Sequence, residues 1–350
     1  MSSRHFFQHR LPDGRFAMFP TLRSLPRAFA RALAASWRDG HHVALGLFRF
    51  LIPIVVAVKI LTEVGAIRYL ALPLRPVMEL VGLPAELGLA WAAAMLVNIY
   101  SGIIVFLGLL PDLPALSTGQ ATVFALMMLV AHSLVLETRI AGQCGLSMPV
   151  QLILRLGMAV LAGLIMRGLC AATGTLASPA AILLEPGPAP AGLTGWVWGE
   201  TLNLAKIYLL VWGVMLLQRG IDFFRVSDLL GRALHPVLRL LGISPRAAAV
   251  IIVGFGMGLI YGSGIIIKNA REGTLSRHDV FCAMSLMGLA HSLIEDTLLM
   301  ALLGASLWGV LLVRLLLALT AGVVINRVYE RLTPSEKHGG CAADGEGLLP

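Results

Sequence analysis

Ala131-His-Ser-Leu-Val-Leu-Glu-Thr138 and Ala290-His-Ser-Leu-Ile-Glu-Asp-Thr297 are two copies of one phrase, 159 positions apart. Leucine and alanine coincide by chance in any apolar run, but His, Ser, an acid and Thr in one register do not. The same offset pairs Arg155 with Arg314 and Ala162-Gly163 with Ala321-Gly322. Upstream, Pro76-Val-Met-Glu-Leu-Val-Gly82 aligns with Pro236-Val-Leu-Arg-Leu-Leu-Gly242, and Tyr100-Ser-Gly-Ile-Ile104 with Tyr261-Gly-Ser-Gly-Ile-Ile266 after a one-residue insertion. The sequence is a duplication, and its period must be accounted for before a fold is assigned.

The surroundings of the phrase set its environment. Of the 350 residues 57% are hydrophobic and 13% charged, against roughly a quarter charged in a soluble domain. Mean hydropathy is +0.84. Apolar segments at 43–64, 84–110, 118–140, 148–172, 200–218, 245–267, 280–303 and 305–326 each approach the roughly 20 residues that cross a bilayer. The expected class is an all-α polytopic membrane protein in contact with the lipid bilayer. The net charge of +8 does not indicate nucleic acid, because the basic residues cluster between and beside the apolar segments, where they orient a membrane protein. Cys144, Cys170, Cys282 and Cys341 show no metal-knuckle or disulfide spacing.

Charge also selects between two topologies. Eight crossings would place the arginines of 219–244 outside and the Lys/Arg-free loop 173–199 inside, against the positive-inside rule. Treating 84–110 and 245–267 as re-entrant helical hairpins leaves three spans per half, oppositely oriented, with nineteen of the 27 basic residues inside. Asn98-Ile-Tyr-Ser-Gly102 and the glycines 254, 256, 258, 262 and 264 supply the breaks such hairpins need. The expected plan is a cytoplasmic basic arm (1–42), a first repeat (43–172), an extracytoplasmic linker (173–199), a second repeat (200–330) and a cytoplasmic tail (331–350). Within the arm, Leu22, Leu25, Phe29, Leu33 and Trp37 between arginines predict an amphipathic helix lying on the inner leaflet, with Pro26 suited to its first turn. The arm reads as retained rather than cleaved.

The duplicated phrase carries the candidate chemistry. On a continuous helix Ser133 and Glu137, Ser292 and Asp296, and His291 and Glu295 are i, i+4 neighbours on one face. A charge at bilayer centre costs roughly 2.5–3.5 kcal/mol on insertion scales, so the acids need partners or a wet cavity. Arg155 and Arg314, each in the following span, are the natural counter-charges. They form either structural ion pairs or the lining of a solute and coupling site with His132, Thr138, His291 and Thr297. Asn98, Tyr100, Ser101, Tyr261 and Ser263 offer hydrogen bonds at the hairpin turns, to a ligand or to broken helix ends. Metal ligation by His132, Glu137, His291, Glu295 and Asp296 is geometrically conceivable if the copies meet, but repeat symmetry explains their placement without it. No metal or cofactor is assigned, and no hydrolase or NTPase motif occurs, so no enzyme is expected.

Leu51-Ile-Pro-Ile54, Pro76-Val-Met78, Gly82-Leu-Pro84, Asn98-Ile-Tyr-Ser-Gly102 and the doubled His-Ser-Leu resemble bacterial membrane proteins with a nucleoside-recognition Gate domain. That domain is shared with concentrative nucleoside transporters, the membrane part of the ferrous iron transporter B, and spore maturation proteins A and B. The resemblance spans about residues 44–330 and implies two inverted Gate-like repeats with re-entrant hairpins in the bacterial inner membrane. The nucleoside transporters' substrate-contacting motifs do not map onto this sequence, and no GTPase segment accompanies it here. The leading expectation is a secondary transporter of a small polar solute, nucleoside-like among the options, with proton coupling and homo-oligomerisation left open. The alternatives are a non-transporting assembly module of the spore-maturation type and a divalent-metal transporter.

Overall fold

The computed structural model describes residues 25–184, 192–224, 226–240 and 242–332. Every named element in it is a helix. The first half comprises α1 (Leu25–Glu63), α2 (Ile67–Ala71), α3 (Arg75–Leu80), α4 (Leu87–Leu96), α5 (Ile99–Leu109), α6 (Thr118–Val130), α7 (Leu134–Gln143) and α8 (Met148–Thr173). The second half comprises α9 (Gly192–Phe223), α10 (Val226–Leu240), α11 (Pro245–Met257), α12 (Leu259–Arg271), α13 (Arg277–Ala290), α14 (Leu293–Ala301) and α15 (Leu307–Leu332). Among the described residues five stretches are long and apolar enough to cross a membrane: 36–63, 118–143, 148–173, 192–221 and 307–328. The stretch equivalent to 118–143 in the second half is α13–α14, which carries Arg277, Asp279, Glu295 and Asp296 and is correspondingly less apolar.

Both segments read as hairpins fold back on themselves. The α4–α5 turn sits at Asn98, whose extended backbone and side-chain oxygen, accepting from Ser101 N–H at 2.9 Å, cap α5. The α11–α12 turn sits at Gly258, at φ +97°, a conformation that L residues avoid. Close contact between the arms repeats too. A Cβ on Gly102 would stand 2.7 Å from Ala94 Cβ, and one on Gly262 would stand 3.2 Å from Gly254 Cα. Without water to drive association, such small-residue contacts are what hold membrane helices together.

The two halves run in opposite senses. Thr118 N–H, at the start of α6, donates to Ser178 O in the linker (2.8 Å), and the same linker's Leu183 N–H donates to Leu302 O at the end of α14 (2.9 Å). Ser306 N–H, opening α15, donates to Thr122 Oγ1 in the first turns of α6 (2.9 Å). So α6–α7 leaves the face at which α13–α14 arrives. The opposite face gathers the starts of α11 and α13, where Ser244 N–H donates to Asp279 Oδ1 (3.2 Å), and the end of α15, where His278 bonds Asn326. The helix pair α1 and α9 is antiparallel in the same way, Asp39 meeting Arg219 at one end and Lys59 lying over the Trp196 ring at the other.

In an 18-residue apolar window of 118–143, 78% of positions are buried, against 17–33% in the corresponding windows of the other four long apolar stretches. The broken pair α6–α7 and α13–α14 is therefore the centre, and α1, α8, α9 and α15 wrap it. Ile52, Val56 and Ile60 on α1, Ile153 on α8, Leu209 on α9 and Leu316 on α15 face outward as an apolar surface suited to lipid. The chain is an all-α polytopic membrane protein.

Two expectations change. The arm does not end in a separate surface helix: from Leu25 it is one helix with the first span. Its Trp37 packs edge-on against Tyr208 and Trp212 of α9, at ring centroid distances of 5.7 and 5.5 Å, so partner aromatics bind this end to the bundle. Residues 1–24 lie outside the described residues. The linker is shorter than expected, because α9 begins at Gly192, and its residues 176–180 are tied to the start of α6.

Candidate functional site

The duplicated phrase breaks its helix in both copies. α6 stops at Val130, Ser133 adopts a left-handed conformation (φ 49°), and α7 starts at Leu134. α13 stops at Ala290, Ser292 does the same (φ 46°), and α14 starts at Leu293. The expected faces are thus corrected: Ser133 and Ser292 are cap positions, and neither side chain caps. Glu137 and Asp296 lie in the first turns of the new helices, where the positive end of the peptide dipoles favours an anion.

A break at membrane depth exposes backbone groups that must find partners within the protein. The hairpins supply the acceptors, Ser133 N–H donating to Ala94 O (2.8 Å) and Ser292 N–H to Gly254 O (3.3 Å). The arginines supply the donors. Arg155 Nε donates to Val130 O (3.0 Å) and Nη2 to His132 O (3.1 Å). Arg314 Nε donates to Leu289 O (3.1 Å) and Nη2 to His291 O (2.8 Å). Each guanidinium then holds its acid. Arg155 Nη1 lies 2.5 Å from Glu137 Oε2, and Arg314 Nη1 and Nη2 lie 3.3 Å from Asp296 Oδ2. All four side chains are buried, Arg314 completely. The counter-charges expected at the repeat offset are in place.

Across the axis relating the halves, the histidines meet. His132 Nε2 and His291 Nε2 are 3.2 Å apart, and Glu137 Oε1 is 3.6 and 3.7 Å from them. Each Nδ1 sits on a backbone carbonyl, Leu129 O at 3.0 Å and Met287 O at 2.8 Å. His132, His291 and Asp296 each bring one ligating atom within 4.8 Å of the others'. Of the five conceivable metal ligands, His132, His291 and Asp296 form one close group, and Glu137 Oε1 approaches both imidazoles. Glu295 does neither: its Oε2 accepts from Gln218 Nε2 of α9 at 2.5 Å, so the expected pairing with His291 does not form. Gln151 Nε2, donating to Ser285 Oγ at 3.0 Å, adds a cross-repeat contact that the repeat pattern did not reveal.

Of the remaining expected residues, only some have a local structural role among the described contacts. Thr138 Oγ1 donates to Leu134 O within its own helix (2.6 Å), and Thr297 Oγ1 is buried with no hydrogen-bond partner among the described residues. Asn98 and Ser101 form the α5 cap, Tyr100 is half-buried on α5, and Ser263 is buried on α12. The side chain of Tyr261 lies outside the described residues.

Of the two provisions expected for the buried acids, partners or a wet cavity, the arginine partners are present. Beside this centre a cleft of about 10 Å3, lined by Glu137, Thr138, Gln151 and Arg155 on one side and Leu259 and Met284 on the other, has room for about one water. A cleft of about 600 Å3 lies elsewhere, between the ends of α1 and α5 and the start of α9, at the face where α6 begins. Lys59, Thr62, Asp112, Glu200 and Asn203 line it, with Trp196 over the ammonium. Lys59 and Glu200 inside apolar spans were the available signal for it, but they have no duplicated counterpart to mark them.

No protein-family profile matches the sequence, and no solved structure matches it. It is 26% identical over 316 residues, covering 89% of this chain and 98% of the relative, to a Bacillus subtilis (strain 168) protein described as "Uncharacterized membrane protein YvoD". That similarity runs through both repeats and agrees with a membrane protein.

Proposed function

We propose that the chain is a secondary transporter of a small polar solute, here with its centre closed. One observation carries the reading: two equivalent helices, antiparallel and each broken at mid-length, bring ionisable groups together where the repeats meet. Inverted repeats with discontinuous helices at the midplane are the build of many alternating-access carriers. The 600 Å3 cleft falls within the 300–1,000 Å3 typical of small-molecule sites and has polar groups of both charges on an apolar wall. It is the proposed waiting site for solute. The distribution of basic residues supports the bacterial inner membrane with both termini cytoplasmic. The nucleoside-recognition Gate resemblance supports nucleosides and nucleobases as the first solutes to test.

A second reading, a non-transporting module that assembles with a partner, is favoured by the small volume of the cleft at the centre and by the pairing of Glu137 with Arg155 and Asp296 with Arg314. Accessibility separates the two. With the four native cysteines replaced by alanine, Ser285→Cys sits beside the centre, against Gln151. Alternating access predicts that membrane-impermeant maleimide labels it in reconstituted protein, at a rate that changes when a transported nucleoside is added. No labelling under any solute, with the protein folded, would remove the transport reading and leave the module.

A further inference from the structure

We infer that His132 Nε2, His291 Nε2, Glu137 Oε1 and the Asp296 carboxylate bind one divalent transition-metal ion of the zinc class, which clasps the two repeats together. The inference is independent of transport and holds equally for a non-transporting module.

The imidazoles give the first reason. A ring nitrogen facing a carbonyl oxygen at 2.8–3.0 Å must carry a hydrogen, because otherwise two lone pairs oppose each other. With both Nδ1 atoms so committed, both Nε2 atoms present lone pairs to one another at 3.2 Å. Turning either ring to the other tautomer only moves the conflict to its carbonyl. A cation between the rings resolves it.

Spacing gives the second. Zinc–nitrogen bonds of 2.0–2.1 Å at tetrahedral angles place adjacent ligand atoms roughly 3.3–3.4 Å apart. The three separations among His132 Nε2, His291 Nε2 and Glu137 Oε1, 3.2, 3.6 and 3.7 Å, bracket that value. A shared proton would satisfy the two nitrogens, but at 3.6 and 3.7 Å Glu137 Oε1 is beyond a hydrogen bond to either ring. A metal ion uses that oxygen as well.

The supporting groups give the third. Metal-binding histidines donate their other N–H to a carbonyl or carboxylate, which fixes the tautomer, and both rings here do so. The acids are held by Arg155 through Oε2 of Glu137 and by Arg314 through Oδ2 of Asp296, which orients the other oxygen of each. Two imidazoles and two carboxylates, one of each from each repeat, form a ligand set suited to borderline dications rather than to calcium or magnesium. Both guanidiniums are already neutralised by these acids, so the ion adds its own charge to the cluster and binds reversibly.

The test uses the full chain in detergent, with any affinity tag cleaved off, stripped by chelator and re-equilibrated with zinc alone. The expected result is one zinc per chain, with an X-ray absorption shell of two imidazoles and oxygen and no sulfur. His132→Gln and His291→Gln should each weaken zinc binding at least tenfold. No stoichiometric uptake, or fewer than two imidazoles in the shell, would overturn the inference. A sulfur ligand would also overturn it, placing the ion instead at His278 and Cys282, which lie 3.4 Å apart. If the variants fail to fold, the absorption shell of the unaltered protein decides alone.

Discussion

Arg155 and Arg314 each do two things that no other side chain could do at once: they bind the carbonyls left by a helix break and neutralise the acid that opens the next helix. The planar fork is the reason, since a lysine ammonium is one point of charge and cannot span both carbonyls and the carboxylate. Removing one partner of a buried pair leaves an uncompensated charge, at a cost of about 3–5 kcal/mol, whereas replacing both by apolar groups is often neutral. Arg314→Leu should therefore give protein that melts far below the unaltered chain or fails to fold. Asp296→Leu added to it should recover the part of that loss that comes from the unpaired acid and leave the part that comes from the Leu289 and His291 carbonyls, and thermal melts in detergent measure both. If the double variant is no better than the single one, Asp296 is not the acid that Arg314 neutralises. The serines at the breaks test a different cost. A non-glycine residue at φ near +50° bears roughly 1–2 kcal/mol of strain, which glycine does not. Ser133→Gly and Ser292→Gly should each raise the melting temperature, and Ser133→Ala should not. The pairing of arginine with acid was legible in the sequence because the repeat offset linked them. The strained serines were not, because neither glycine nor proline marks the break and the apolar pattern runs straight through it.

At the scale of the element, the hairpins and the broken helices form one device. The first arm of each hairpin presents a carbonyl, Ala94 or Gly254, to the N–H of the left-handed serine, so hairpin position and helix break are mechanically linked. Gly102 sets how closely the first hairpin folds. An added Cβ would lie 2.7 Å from Ala94 Cβ, 2.7 Å from Met128 Sδ and 3.0 Å from Ala90 O, and the last of these is backbone and cannot step aside. Gly102→Ala should destabilise by about 1–3 kcal/mol, the range for overpacking a tight interior. Gly264→Ala, with nothing within 4 Å, should be nearly silent, so the pair controls for glycine loss in general. Equal melting temperatures for the two variants would mean that the hairpin is looser than described. The hairpins were legible because Asn98 and the glycine cluster interrupt otherwise apolar runs. What they hold was not, since a backbone acceptor leaves no trace in residue types. The partner of Glu295 was hidden for another reason: Gln218 comes from α9, outside the aligned stretches of the repeat.

For the whole molecule, the distribution of charge implies inversion, and the contacts at the two faces agree with it. The packing of the centre could not be read the same way, because spacing along a helix says which groups share a face and nothing about the volume left between them. Inversion and orientation are separable by labelling. Leu183, exposed in the linker, belongs to the face where α6 starts and α14 ends, and Glu272, exposed after α12, belongs to the face where α13 starts. In the background lacking native cysteines, Leu183→Cys on intact cells should react with an impermeant maleimide, and Glu272→Cys should react only after permeabilisation. The reverse pattern would keep the halves antiparallel but place the termini outside, against the basic residues around 219–246 and at the start of the chain. Reaction of both from one side would mean that α6–α7 and α13–α14 do not run oppositely. The two histidines would then lose the axis that brings them together, and with it would go both the carrier architecture and the shared cation site.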